Sequence, residues 1–268
     1  MAAVLLGVFG SLLGSFLNVV VYRVPRGLSV VSPPSSCPGC SARIAPWDNV
    51  PVLSWLLLGG KCRACRMRIP VRYPLVEAGT AVAFAVVAVR FVPGVLDWTL
   101  AGALALAAFL YLAAITVALA LIDLDVRRLP NAIVLPAYGV GAALLVPSAL
   151  LAGDPGALLR AGAGVAILGG VYLALALAVP HGMGGGDVKL AGVLGLFLGW
   201  LGWAELAVGA IGGFLLGGLF GAALLLTGRA KRGTAVPFGP WLLGGAWLGI
   251  LAGAPLADAY LRLFGLGD

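Results

Sequence analysis

Charge is scarce in this sequence: 10% of its 268 residues are Asp, Glu, Lys or Arg, against about 25% in an ordinary soluble domain. A chain so poor in charge cannot present a water-facing surface all round, which excludes a soluble globular domain. Histidine occurs once, at His181, and no Ser/His/Asp or Cys/His catalytic arrangement can be assembled around it; it reads as a solvated loop residue. Cysteine occurs four times, in two close pairs that could be disulfides or a metal site. Acidic residues number only ten, so the place of each carries information.

What is abundant is apolar sequence. Hydrophobic residues make up 62% of the chain, in uncharged runs that approach or exceed the ~18–20 residues needed to cross a bilayer as a helix. Eight spans are expected, at about Ala2–Val21, Leu75–Phe91, Leu100–Ile122, Ala132–Leu151, Ala161–Val179, Val188–Leu201, Leu206–Leu226 and Pro237–Ala257, the sixth of them short. The fold class is therefore an all-α polytopic membrane protein of about eight transmembrane helices. A small cytoplasmic zinc-binding segment follows the first helix. Tyr22-Arg23 directly after the first run, and no basic residue before it, read as a retained anchor rather than a cleaved signal. Gly7, Ser11, Gly14 and Asn18 fall on one face of that helix, as close helix–helix contact in lipid requires. No internal repeat is evident. Two regions are expected, 1–95 with the first two spans and a four-cysteine segment at about 25–74, and 96–268 as a membrane core.

The net charge of +7 does not indicate nucleic acid, because the basic residues cluster beside the spans. Placing the Cys-rich segment in the cytoplasm puts 14 basic residues on the inside. Only Arg90, Arg160 and Arg262 then lie outside, the asymmetry of the positive-inside rule. Both termini, Asp268 included, are then outside.

Cys37-Pro-Gly-Cys40 and Cys62-Arg-Ala-Cys65 are two C-x2-C pairs separated by 21 residues. Each pair can give two thiolates to one tetrahedral ion, and four thiolates close a structural zinc site with no position left for catalysis. A cytoplasmic location disfavours disulfides.

Of the acids, Asp48 lies in the cytoplasmic segment, and Asp97, Asp154, Asp258 and Asp268 lie in outer loops or the tail. Five sit at or near span ends: Glu77, Asp123, Asp125, Asp187 and Glu205. Ionisable groups at membrane depth are costly and point to function. Asp123 ends the third span and Asp187 opens the sixth, both at the cytoplasmic face in the derived topology. Two carboxylates converging in a low dielectric share a proton, which is the general acid–base pair of an aspartyl protease. Asp187 follows Gly184-Gly-Gly186, where missing side chains allow close approach. A solvated helix end for Asp123 and a helix N-cap for Asp187 remain the alternatives. Asp125 points about 200° away from Asp123 around a helix and pairs with Arg127 or Arg128. Glu77 is expected to favour its own helix N-terminus, and Glu205 to be interfacial.

These motifs resemble, in order, those of the type IV prepilin peptidase family. The resemblance is carried by Gly14-Ser-Phe-Leu-Asn18-Val-Val-Val-Tyr-Arg23-Val-Pro25, the two C-x2-C pairs, Trp47-Asp-Asn49-Val-Pro51-Val-Leu-Ser54-Trp55, Gly60-Lys61-Cys62 and Arg72-Tyr73-Pro74-Leu-Val-Glu77. It continues through Asp123 with Leu129-Pro130-Asn131, the G-x-G-D motif Gly184-Gly-Gly186-Asp187, and Pro237-Phe-Gly-Pro240. The resemblance implies a multi-pass protease of the bacterial inner membrane, embedded in lipid. It would cut type IV prepilins or type II secretion pseudopilins after glycine, at the cytoplasmic face. It further implies S-adenosylmethionine-dependent N-methylation of the new N-terminus, with Gly60 as the position to probe. A multi-span transporter, or a pilus-assembly scaffold carrying a zinc module, is the alternative.

Overall fold

The computed structural model describes residues 1–92, 99–178, 183–228 and 237–265. His181, Asp97, Asp268 and the basic Arg229, Lys231 and Arg232 lie outside the described residues. Among the described residues the chain is helical: α1 Ala2–Arg23, a short α2 Leu53–Leu57, α3 Arg72–Phe91, α4 Leu100–Val126, α5 Asn131–Leu151, α6 Gly156–Ala178, α7 Gly185–Leu201, α8 Trp203–Leu226 and α9 Gly239–Leu263. Extended pairing is limited, among those residues, to two isolated bridges in the cysteine segment.

Every expected span is a helix. Seven are long and apolar enough to cross a membrane. The exception is α7, whose 17 residues extend about 25 Å, short of a ~30 Å hydrocarbon core. Shortness fits its environment, because the run from Leu190 to Leu198 is almost wholly buried in protein. The last helix is longer than expected and includes Asp258 and Arg262.

Two compact units divide the chain. One comprises Met1–Trp98 with Phe109–Ala118, the other Thr99–Ala108 with Leu119–Asp268. In the first, α1 packs along α3. A Cβ on Gly10 would lie 2.8 Å from Phe84, and one on Gly14 only 2.7 Å from the Glu77 Cα. The Asn18 side-chain amide donates to the Tyr73 carbonyl at 3.3 Å. The expected small-residue face is therefore real in its Gly7, Gly14 and Asn18 positions. Ser11 instead bonds its own helix at the Val8 carbonyl, and Gly10 takes the contact.

In the second unit α6 pairs with α7, and α8 with α9. Neither pair leaves room for side chains at the crossing. Gly164 and Gly195 face each other backbone to backbone, as do Gly213 and Gly245. Such approaches gain van der Waals contact where lipid removes any hydrophobic drive for helices to associate. Glu205 is buried in protein: it sits in the first turn of α8 with its Cα 2.6 Å from where a Gly253 Cβ would be.

Candidate functional site

The cysteine segment is built as two similar knuckles. Cys37 N–H bonds the Ala42 carbonyl at 2.9 Å, and Cys62 N–H bonds the Met67 carbonyl at 2.8 Å. Bridges pair Ser36 with Arg43 and Lys61 with Arg68, while Ser41 and Arg66 share a positive φ. Cys-x2-Cys-x2-Arg-Ile thus occurs twice, at Cys37–Ile44 and Cys62–Ile69. The sequence does contain a short repeat, contrary to expectation, visible only once the knuckle geometry aligns the two halves.

The four sulfurs lie within 4.8 Å of one another, with Cys37 and Cys65 at 3.7 Å. Tetrahedral coordination with Zn–S near 2.3 Å requires S···S edges of about 3.8 Å, so the donor set fits a closed four-thiolate ion site. Backbone N–H groups of Gly39 and Cys40 aimed at the Cys37 sulfur bring its pKa down to about 7. The Met67 N–H favours a thiolate at Cys65, but the Cys40 thiol, desolvation and the Cys37 and Cys62 thiols together outweigh it and push that group up to about 11. A bound cation removes this competition by stabilising all four as thiolates. Arg63, on the second knuckle, forks onto Asp48 through Nε at 2.8 and 3.0 Å, and this holds the Asp48 carboxyl below its usual range.

Gly60 has a packing role. Its φ of +64° and the Trp55 indole, 2.8 Å from where a Cβ would stand, both demand glycine. That indole is itself fixed by its N–H to the Ile69 carbonyl at 3.1 Å. The Trp55 indole therefore covers the face of Gly60 where a side chain would stand. Glu77 is buried, and its carboxylate accepts the Val52 N–H at 2.7 Å. Its partner is Val52 of the segment between α1 and α3 rather than the end of its own helix, which corrects the expectation.

The two aspartates both meet helix N-termini in the second unit. Asp123 is buried one turn before the end of α4 and accepts the Gly239 N–H at 3.0 Å. Gly239 opens α9, where backbone donors have no partner within the helix. Asp187 occupies the third position of α7 and reaches back to the Gly184 N–H at 3.2 Å, half of a capping box. The N-cap is Gly184, so Asp187 caps the helix from its third position rather than as the N-cap residue expected. This capping does not exhaust the site. The turn after α4 places Leu129 against both glycines: its Cδ2 lies 3.3 Å from a hypothetical Gly239 Cβ, and its Cβ lies 3.0 Å from one on Gly186. One leucine thus touches the residue that binds Asp123 and the residue that precedes Asp187. Asp125, by contrast, is exposed.

Residues not singled out by sequence complete the surroundings. Tyr172 stacks on Phe214 at 4.9 Å and meets Phe238, the neighbour of Gly239, at 6.2 Å. Tyr138 donates to the Lys189 carbonyl at 2.8 Å, and Lys189 Nζ reaches Asn131 Oδ1 at 3.0 Å, which pins the first turn of α7. The Tyr138 hydroxyl occupies the space a Gly192 side chain would need. The signals available were the Leu129-Pro130-Asn131 and Pro237-Phe-Gly-Pro240 motifs; nothing local marked Tyr138 or Tyr172.

Comparison with known proteins matches two stretches of the chain. Residues 8–91 match the bacterial peptidase A24 N-terminal domain, and residues 110–226 match the type IV leader peptidase family. The chain is 38% identical to a prepilin leader peptidase/N-methyltransferase of Pseudomonas putida, over 96% of its own length and 93% of the relative's. The chain belongs to this family. A relative of the same name in Pseudomonas aeruginosa is 36% identical, over 96% of this chain and 92% of that one. Another, from Bacillus subtilis, is 35% identical over 97% and 98%. No solved structure matches. Family and helices together make this a multi-pass inner-membrane peptidase. Asp123 and Asp187 fall inside the stretch matched to the leader peptidase model, and the four cysteines inside the N-terminal one.

Proposed function

We propose that this chain removes the leader peptides of type IV prepilins or type II secretion pseudopilins, with Asp123 and Asp187 as its catalytic pair. The observation that carries the reading is the meeting of both carboxylates' helix N-termini on Leu129, each acid accepting a backbone N–H. Two such groups in a water-poor setting retain one proton between them. The ionised member takes a proton from water, whose oxygen attacks the scissile carbonyl carbon, while the protonated member donates to the carbonyl oxygen. Collapse of the resulting diol passes a proton to the amide nitrogen and breaks the C–N bond. The leader leaves with a new carboxylate, and the pilin keeps a free N-terminal amine. The pair titrates as a unit, so neither aspartate is assigned a fixed role.

The names of the relatives support a second activity, N-methylation of that amine, with S-adenosylmethionine as donor. The N-terminal unit is its natural seat, and the four cysteines hold a structural zinc there. Basic-residue asymmetry supports a cytoplasmic location for the cysteine segment and the aspartates, with both termini outside.

Co-expression with a pilin-like partner, followed by mass spectrometry of its N-terminus, tests both activities. A product shortened by its leader and heavier by one methyl group is expected. A transporter or a scaffold would leave the precursor intact.

A further inference from the structure

The segment between Trp47 and Leu57 is built inside out for a loop in water. Its polar groups turn inward: buried Ser54 donates through Oγ to the Trp47 carbonyl at 2.9 Å and accepts the Val50 N–H at 3.1 Å. Its large apolar side chains turn outward. Trp47, Leu53, Leu56 and Leu57 are 70%, 58%, 59% and 86% exposed. Between the turn at Pro46–Asn49 and α2, Val52 has φ 61° and ψ −51°, and the Leu53 N–H closes onto the Pro51 carbonyl at 2.6 Å. This is a γ-turn of the rare, strained hand, centred on a β-branched residue that disfavours positive φ.

What holds the strained turn is Glu77, which accepts the Val52 N–H at 2.7 Å. Glu77 lies five residues into α3, about 7.5 Å along its axis from Arg72. The turn is therefore clamped beside the first stretch of a membrane-crossing helix, at a depth that interfacial helices reach, about 5–10 Å into the headgroup and acyl boundary. Around it the charge is mostly of one sign. The stretch from Arg43 to Arg72 holds six basic residues, both ends included, and one acid, and Arg43, Lys61, Arg66 and Arg68 are exposed. An exposed tryptophan and exposed leucines beside exposed cations form the pattern of an interfacial anchor.

We propose that Trp47–Leu57 is a foot that seats the zinc-bearing segment in the headgroup layer of the cytoplasmic leaflet, with Trp47, Leu53, Leu56 and Leu57 entering the lipid. The strained turn sets its angle, and the Glu77 clamp fixes its depth. The foot thereby ties the cysteine knuckles to the membrane surface from which a membrane-anchored substrate would approach. Its test needs no cleavage activity, so it stands or fails apart from the peptidase reading.

The full-length protein is placed in nanodiscs of phosphatidylcholine and phosphatidylglycerol, with or without lipids brominated near the headgroup. The Trp47 signal is taken as the difference between the parent and Trp47→Phe. Bromolipid should quench that signal about twofold or more, and aqueous acrylamide should leave it nearly unchanged, as for a ring at interfacial depth. Leu57→Asp, which removes the most exposed leucine without touching the clamp, should reverse the two sensitivities. Quenching by acrylamide and not by bromolipid would place the ring in water and overturn the proposal. Acrylamide quenching that disappears only when a leader peptide is added would also overturn it, by making the face a peptide-docking surface.

Discussion

Replacing Gly239 by alanine is a sharp test of the geometry around Asp123, because it changes one methyl group and leaves every titratable residue in place. The added Cβ would stand 2.8 Å from Asp123 Oδ2 and 3.3 Å from Leu129 Cδ2. Ordinary contact begins near 3.4 Å, so the carboxylate must retreat by roughly 0.6 Å or α9 must shift, and a misplacement on the order of 1 Å at a reacting group can lower rate about 100-fold. Retreat also stretches the 3.0 Å hydrogen bond from the Gly239 N–H, and a hydrogen bond to a charged group contributes about 1.5–3 kcal/mol. Both routes lead to a fall in kcat of about 10- to 100-fold with KM little altered. The assay is leader cleavage by purified enzyme in proteoliposomes, with Gly218→Ala as the control, since nothing lies within 4 Å of that position. Cleavage by Gly239→Ala within about twofold of the control would refute the idea that this N–H positions Asp123.

Other expectations follow from the same contacts. Purified protein should carry one zinc per chain, and serine at Cys37, Cys40, Cys62 or Cys65 should abolish it by elemental analysis. A structural zinc can contribute on the order of 10 kcal/mol of apparent folding free energy, so those variants should also expose the 25–74 segment to protease, with methylation suffering more than cleavage. Gly195→Leu should part α6 from α7, because any side chain there meets the Gly164 carbonyl; overpacking of this kind costs about 1–3 kcal/mol. Its thermal transition should fall well below that of Gly162→Ala, which meets nothing within 4 Å. Glu77→Ala should strip a charge-assisted acceptor from the Val52 N–H, a loss of about 1.5–3 kcal/mol. The segment around Trp47 should then be cut by protease several-fold faster, while Glu77→Gln, which keeps an acceptor, behaves closer to the parent.

How far the sequence reveals this molecule depends on the range of each interaction. Helices were legible because apolar runs must satisfy their own backbone in lipid, and the eight expected spans coincide with α1 and α3–α9 apart from a few end residues. The cysteine cluster was legible because ligand spacing is a local property. Pairing was not. Gly239 and Asp123 are 116 positions apart, and nothing near either one announces the other. Glu77 looked like a helix-end acid because its true partner, Val52, is strained by a turn that no residue pattern foretells. Glu205 looked interfacial from its place between two runs, whereas burial depends on the glycines of α9 that close over it. The abundance of glycine was an unread clue: Gly164, Gly192, Gly195, Gly213 and Gly245 mark the crossings, but small residues alone do not say which helix meets which.

The central claim is that Asp123 and Asp187 act as one proton-sharing pair. Its most direct test is single-turnover cleavage of a prepilin by Asp123→Asn, Asp187→Asn and the double variant, with folding checked by thermal unfolding. An amide keeps the shape and a hydrogen-bond acceptor but cannot exchange the proton, so each single change should lower the rate about 100- to 10,000-fold. The double change should be hardly worse than either, and exposed Asp125→Asn should stay near the parent. A folded Asp187→Asn that cleaves at close to the parental rate would contradict the account.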